Sequence, residues 1–392
     1  MSPVASTSLK SIADEKLKAD IVQAFWNPPR ERIPNMIYIK KYKEYFDEYY
    51  RSEIKAIYES GIETLASKMA AKTHQHIIEI VRVLWANNRS SKMDIAEILQ
   101  AEVFPQESTE TIGHAIDFAL RVWLMINVKD VDDDGAAWIF GEVEPEPWSD
   151  DSILEDFVRN RFPKDMTLGE ETLNIALRDD FTGANLQRIG GFKITWTRNI
   201  EDHLSMSRDH EGTRTVNIFP YRSCLEAQLR CRVPIPESVL RETIMSLDVL
   251  FPSFDPRTQA FLRESKRPQL GTGTSARYET RYIRDFQIWR QRMAELYLEY
   301  KDQPGRLWAD RRNPQEWLLF VSTMVGVLFA VAFGIISIVT ACMSTHYTRL
   351  GYELALQQAS ASASDACVTI CPGVDLDQRN TFQVMRAHEL QV

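Results

Sequence analysis

The sequence predicts a mainly α protein with a smaller α/β part. Its expected pieces are a winged-helix-like unit, a mixed α/β unit, a juxtamembrane helix and one C-terminal transmembrane helix. Three observations carry this. Apolar residues recur at helical spacing, most clearly Ile112, Ala115, Ile116, Ala119, Leu120 and Trp123. Strict alternation is rare and clearest where Phe192, Ile194 and Trp196 are interleaved with Lys193, Thr195 and Thr197. From Trp317 to Thr345 no charged residue occurs, although charged residues make up 26% of the chain.

Residues 1–70 read as an N-terminal helical region. "MSPVASTSLKSIADEKLKAD" has no apolar core of the kind a cleavable signal peptide needs, and position 2 is Ser2, not the glycine required for myristoylation. "MIYIKKYKEYFDEYYRSEIKAIYESG" mixes aromatics with Lys and Glu, with Gly61 as a stop. Lys40, Lys41 and Lys43 offer charge to an anionic lipid, but a solvated helix face is the simpler reading.

Residues 73–145 predict three helices and a hairpin, the order of a winged helix. Ser108 caps the third helix, and "WLMINV" and "AWIFGEV" flank "KDVDDDGA" as two strands flank a turn. Helix-turn-helix proteins place such a third helix on DNA. Charge argues against that role. Residues 73–144 hold five Lys/Arg against thirteen Asp/Glu. The expected exposed positions, Glu110, His114, Asp117 and Arg121, would repel phosphate. The net charge of −9 for the whole chain points the same way, so no nucleic-acid partner is expected. Asp130 to Gly135 matches the first half of an EF-hand loop. The twelfth position is Gly141, with Glu142 one place late, and the eighth is Ala137. Lacking the closing carboxylate, the loop reads as a hairpin turn.

Residues 146–270 read as the mixed α/β unit. Gly190 and Gly191 precede the alternating strand, "TRTVNIFPY" supplies a second strand through Val216 and Ile218, and "PESVLRETIMSLDVLFP" a helix between Pro236 and Pro252. The glycine pair lacks the third glycine and following helix of a dinucleotide loop. Cys224 and Cys231 in "CLEAQLRC" read as reduced core thiols.

Residues 276–312 predict a juxtamembrane amphipathic helix. Tyr282, Phe286, Trp289, Met293, Leu296 and Tyr300 recur at alternating spacings of four and three. Such a seam suits a helix packed on its own domain, or a parallel dimer. Residues 317–343 form the transmembrane helix. The apolar run from Trp317 to Cys342 would extend about 39 Å at 1.5 Å per residue, against a hydrocarbon core of about 30 Å. Lys301, Arg306, Arg311 and Arg312 precede it closely and only Arg349 follows closely, so the N-terminal part is expected to be cytosolic. Trp308 and Trp317 suit the membrane interface. Gly326, Ala330, Gly334 and Ser337, extended by Ser322 and Ala341, share one helix face and would let a second helix approach.

Residues 344–392 read as a flexible non-cytosolic tail, from the Ser/Ala-rich "QQASASASDACVTICPGVD". Cys367 and Cys371 could close a small disulfide loop in an oxidising compartment, or stay free. The tail has no glycosylation acceptor, whereas Asn88-Arg89-Ser90 lies in the large part.

No Walker loop, nucleophile elbow, metalloprotease helix or kinase set occurs, and no catalytic residue, cofactor or metal is assigned. His74, His76, His114, His203, His210, His346 and His388 lack metal-ligand spacing with Cys or with one another. Asp179, Asp180 and His203 are the one acid/base grouping worth testing against a fold, although Asp-Asp before Phe-Thr-Gly more often marks a loop.

"GGFKITWTRNIEDHL", "LRETIMSLDVLFP" and the Arg-Arg-Asn-Pro-x-x-Trp lead-in to a single C-terminal span resemble a group of fungal single-pass membrane proteins of unknown function. The resemblance covers the latter half of the part before the span. It implies a membrane-tethered cytosolic domain and transfers no catalytic residue. The expected partners are therefore a lipid bilayer, a second copy through the juxtamembrane and transmembrane helices, and a cytosolic protein. The expected role is a membrane-tethered interaction or scaffold protein. Alternatives are an anchored enzyme acting on an apolar small molecule, and a membrane-held transcription regulator that the acidic helical unit argues against.

Overall fold

The structure, a computed structural model, describes residues 8–11, 13–26, 39–59, 65–129, 146–164, 168–231, 233–272, 280–302 and 314–370. It divides into two units, Met1–Asp310 and Arg311–Val392.

The first unit is mainly helical. α1 (Glu15–Trp26) buries Ile21, Val22, Phe25 and Trp26. A helical stretch then passes through a 3-10 turn at Lys40–Tyr42 and a π-helix at Tyr45–Tyr50 into α2 (Arg51–Glu59). The wider π turn brings Tyr45, Phe46, Tyr49 and Tyr50 together on the core side. After the short α3 (Leu65–Lys68) come α4 (His74–Ala86), α5 (Lys92–Glu102) and α6 (Thr109–Leu124). Each of these three has a side-chain N-cap: Thr73, Ser91 in a capping box with Asp94, and Ser108.

α6 lies at the centre of this part of the core. Its last carbonyls are short of partners within the helix, Arg121 O alone receiving the Met125 N–H at 2.8 Å, and side chains from elsewhere bond to them. Tyr45 Oη donates to Val122 O at 2.6 Å, Tyr49 Oη to Arg121 O at 2.8 Å and Gln228 Nε2 to Trp123 O at 3.2 Å. Met125 closes the helix in the left-handed region at φ 58°. The indole of Trp123 donates to Phe25 O at 2.9 Å, tying α6 to the end of α1.

β1 (Val128–Lys129) pairs in parallel with β2 (Glu146–Pro147). Two short helices follow, α7 (Leu154–Asn160) and α8 (Glu170–Leu173), and then α9 (Gly183–Arg188). β3 (Lys193–Trp196), β4 (Met206–Arg208) and β5 (Arg214–Ile218) form a sheet ordered β3-β5-β4, with β3 parallel and β4 antiparallel to β5. The turn into β3 uses Gly191 at φ +66°. A Cβ on Gly190 would lie 2.7 Å from Leu186 O and 2.8 Å from the Phe192 ring. α10 (Arg222–Cys231) packs on α11 (Glu237–Leu250) and α1, Phe251 after α11 and Phe261 of α12 (Pro256–Glu264) meet Trp196 of β3, and α13 (Arg290–Lys301) ends the described part of the unit. Cys224 is buried and Cys231 half-buried, both as free thiols.

Four expectations are corrected. First, His114, Asp117 and Arg121 are not on a solvent face: His114 and Asp117 are buried, and the Arg121 side chain is 12% exposed. Lys92 from α5 reaches Asp117 at 2.8 Å and Glu53 from α2 lies 3.7 Å from Arg121, so polar partners make a second buried face. Second, "WLMINV" begins as the end of α6, and the described strands 128–129 and 146–147 pair in parallel. Residues 130–145, with the Asp130–Gly135 turn and the expected second strand, lie outside the described residues. Third, the stretch expected as one helix over 276–312 is, where described, a 3-10 turn at Ile283–Asp285 and α13. Phe286, Trp289, Met293, Leu296 and Tyr300 are all buried in the unit's own core, so they present no seam to a second copy. The parts expected as separate units, 1–70, 73–145 and 146–270, contribute to one continuous core with α13.

The fourth correction concerns the second unit. α14 (Pro314–Ile370) is one helix of 57 residues. The expected tail from 344 onward is helical as far as Ile370. Ala is the best helix former, and extending an existing helix avoids the cost of nucleation. Residues 371–392 lie outside the described residues.

Candidate functional site

α14 is long and apolar enough to cross a membrane: Leu318–Ser362 has a mean hydropathy of 2.5 in its most apolar window, and none of that window is buried. Leu328, Phe329, Phe333, Ile335 and Ile338 are each more than half exposed. Several hydroxyls within the apolar run bond to their own helix. Ser322 Oγ and Thr323 Oγ1 both donate to Leu319 O at 2.8 Å, and Thr340 Oγ1 to Ile336 O at 2.8 Å. A hydroxyl bonded to its own helix presents no unsatisfied donor to hydrocarbon. Gly326, Ala330, Gly334 and Ser337 lie on α14 and are exposed. A Cβ on Gly326 or Gly334 would meet nothing within 4 Å. Beyond the apolar run, Arg349 pairs with Glu353 at 3.2 Å. Cys367 is in the last turns of α14 and Cys371 lies outside the described residues, so the geometry of that pair is not described.

In the first unit, His203 is fully buried and its hydrogen bonds fix its tautomer. Nδ1 accepts from Phe219 N at 3.2 Å, so the proton sits on Nε2 and is donated to Ser246 Oγ at 2.6 Å. Ser246 in turn donates to Thr243 O at 2.7 Å. This polarity is the reverse of a histidine that accepts a proton from a serine nucleophile. Burial, helped by the charge of Arg292, lowers the His203 pKa to about 3. Asp180 is buried elsewhere: its carboxylate accepts from Arg178 Nε at 3.1 Å, and its carbonyl from Asn185 Nδ2 at 2.8 Å and Tyr300 Oη at 3.1 Å. Asp179 is exposed. The three are therefore not brought together. Among the described residues no group of three or more His, Cys, Asp and Glu is placed to hold a metal ion.

Two clefts among the described residues of this unit bear on function. One, of about 340 Å³, is lined by Arg161, Phe162, Lys164, Glu201, Trp289 and Arg292. Its two arginines and Glu201 are used internally. Arg161 Nη2 holds Glu201 Oε2 at 3.0 Å, and Arg292 Nη1 donates to Glu201 O at 2.6 Å and His203 O at 2.8 Å. The other, of about 380 Å³, lies between Leu9–Ala13 and the face of the helical stretch 46–59. At its floor His74 Nε2 donates to Ser11 O at 3.1 Å, which leaves Nδ1 to accept from Tyr50 Oη at 2.8 Å. Burial lowers the His74 pKa, with the Ser11 carbonyl opposing it. Burial also raises the Tyr50 hydroxyl far above its ordinary value, so it stays a neutral donor. This cleft was not legible in the sequence. Its walls come from three separated stretches, and the only local sign was the crowding of aromatic and basic residues between Tyr42 and Tyr58.

No family model matches the chain, and no curated protein or solved structure does either.

Proposed function

We propose that the chain is a single-pass membrane protein whose first unit is cytosolic and acts by binding other proteins at a membrane surface. The observation that carries the reading is α14, with its uncharged run from Trp317 to Thr345 and its exposed apolar side chains. An exposed surface of that size is unfavourable in water at about 25 cal/mol per Å² and favourable in hydrocarbon. The basic residues Lys301, Arg306, Arg311 and Arg312 before the run favour a cytosolic first unit. The Arg-Arg-Asn-Pro-x-x-Trp resemblance to fungal single-pass proteins agrees with this. The Gly326, Ala330, Gly334 and Ser337 face supports pairing with a second copy inside the bilayer, a role no longer open to the buried α13 seam. A second reading, an anchored protein that handles an apolar small molecule, is favoured by the 380 Å³ cleft.

Glycosylation mapping tests the orientation. An acceptor site engineered after residue 371 is expected to be modified in a eukaryotic cell, while the native Asn88-Arg89-Ser90 is not. Modification of Asn88 with an unmodified tail would reverse the assignment.

A further inference from the structure

We propose that the cleft between Leu9–Ala13 and the 46–59 helical face binds a single-chain amphiphile with an acidic head, of the fatty-acid class. The inference does not depend on the membrane reading, because the cleft lies wholly within the first unit.

The argument starts from shape and lining. A cleft of about 380 Å³ falls within the roughly 300–1,000 Å³ of small-molecule sites. Leu9, Phe46 and Ile54, with the rings of Tyr50 and Tyr58, make a continuous apolar wall. That is more apolar surface than an ion would use. The floor offers no unsatisfied donor or charge, since Tyr50, His74 and Ser11 bond in series. An acyl chain can therefore lie against it without stranding a polar group.

Charge selects the head. Lys10, Lys18, Arg51 and Lys55 line this cleft against Asp47 and Glu59, and Lys18 also pairs with Glu15 at 2.8 Å in solvent, which leaves a local excess of one positive charge on a chain of net −9. Lys10 Nζ sits 4.9 Å from the centroid of the Tyr58 ring and Lys18 Nζ 5.8 Å from that of Phe46. Ammonium groups are thus held directly above the apolar wall. Arg51 lies 3.7 Å from Asp47 and Lys55 3.4 Å from Glu59, both pairs in solvent. Exposed pairs of that kind are worth little, so a ligand carboxylate can compete for these cations. Cations above an apolar slot match a carboxylate on a single alkyl chain. They do not match a neutral or cationic head.

The test uses full-length protein in nanodiscs of zwitterionic lipid and a photoreactive, diazirine-bearing dodecanoate, with crosslinks mapped by peptide mass spectrometry. Label is expected on residues 9–13 and 46–59. Excess dodecanoate should displace it at concentrations about tenfold below those needed with dodecanol or dodecyltrimethylammonium, a difference of about 1.4 kcal/mol. The exposed pair Lys10→Glu and Arg51→Glu should cut cleft labelling about tenfold. Ile54→Trp, which fills the slot, should abolish it, with circular dichroism confirming the fold. The competition in the unaltered protein needs no variant and stands even if one fails to fold. Absence of cleft label, label confined to α14, or equal displacement by the three amphiphiles would overturn the proposal.

Discussion

Individual buried charges set how this protein responds to pH. Glu44 and Glu48 both lie beside Arg267, with Glu44 3.7 Å from it. Burial raises the Glu44 carboxyl from 4.5 to about 7, opposed by Arg267 and assisted by Glu48. Between these values the folded chain holds a proton that the unfolded chain has released. Stability from this group therefore falls as pH rises from 4.5 to 7. His203 has the opposite sign. Below 6.5 the unfolded chain takes up a proton that the folded one refuses until about 3, so stability is lost as pH falls. Denaturant titrations of the full chain in mild detergent at stepped pH should separate the two. Glu44→Gln should reduce the loss towards neutrality, and His203→Gln the loss towards acid. The Lys92–Asp117 pair makes a third case, at 2.8 Å with both side chains under a tenth exposed. Asp117→Ala strands a buried ammonium and should cost about 3–5 kcal/mol in the same titration, whereas Lys92→Met with Asp117→Leu should cost less.

At the scale of elements, what could be read from the sequence was whatever depended on local chemistry alone. α11 runs from the residue after Pro236 to Leu250, as its flanking prolines require, and β3 shows the alternating exposure of its pattern. α14 was legible because transfer into hydrocarbon sums over neighbouring side chains. The misreadings concern what covers a face. The 282–300 periodicity marked an apolar stripe correctly and suited packing on its own domain or on a second copy; the structure buries it in its own unit. His114, Asp117 and Arg121 looked solvent-facing because the chain that buries them is remote in sequence; Glu53 precedes Arg121 by 68 positions. The cleft was illegible for the same reason, since Lys10, Tyr50 and His74 meet only in the fold. Small residues on α14 have no such remote partner among the described residues of their unit, which leaves that face for a second helix. Gly326→Leu with Gly334→Leu should reduce energy transfer between donor- and acceptor-labelled copies in bilayers while leaving membrane insertion intact. Unchanged transfer would remove this face from the interface.

For the whole molecule, the contrast between the two units matters most. The first closes its core on itself: aromatics from α1, the π turn and α13 are buried together, and Lys92, Arg161 and Arg222 are each paired with a carboxylate. The second is one helix with its largest apolar side chains exposed along the uncharged run. That helix is long and apolar enough to cross a membrane. The most direct measurement is an alkaline carbonate wash of membranes from cells making the full-length protein, followed by high-speed sedimentation. The chain should stay in the pellet and be released only by detergent. Recovery of lipid-free, folded protein in the supernatant would contradict a membrane-spanning α14.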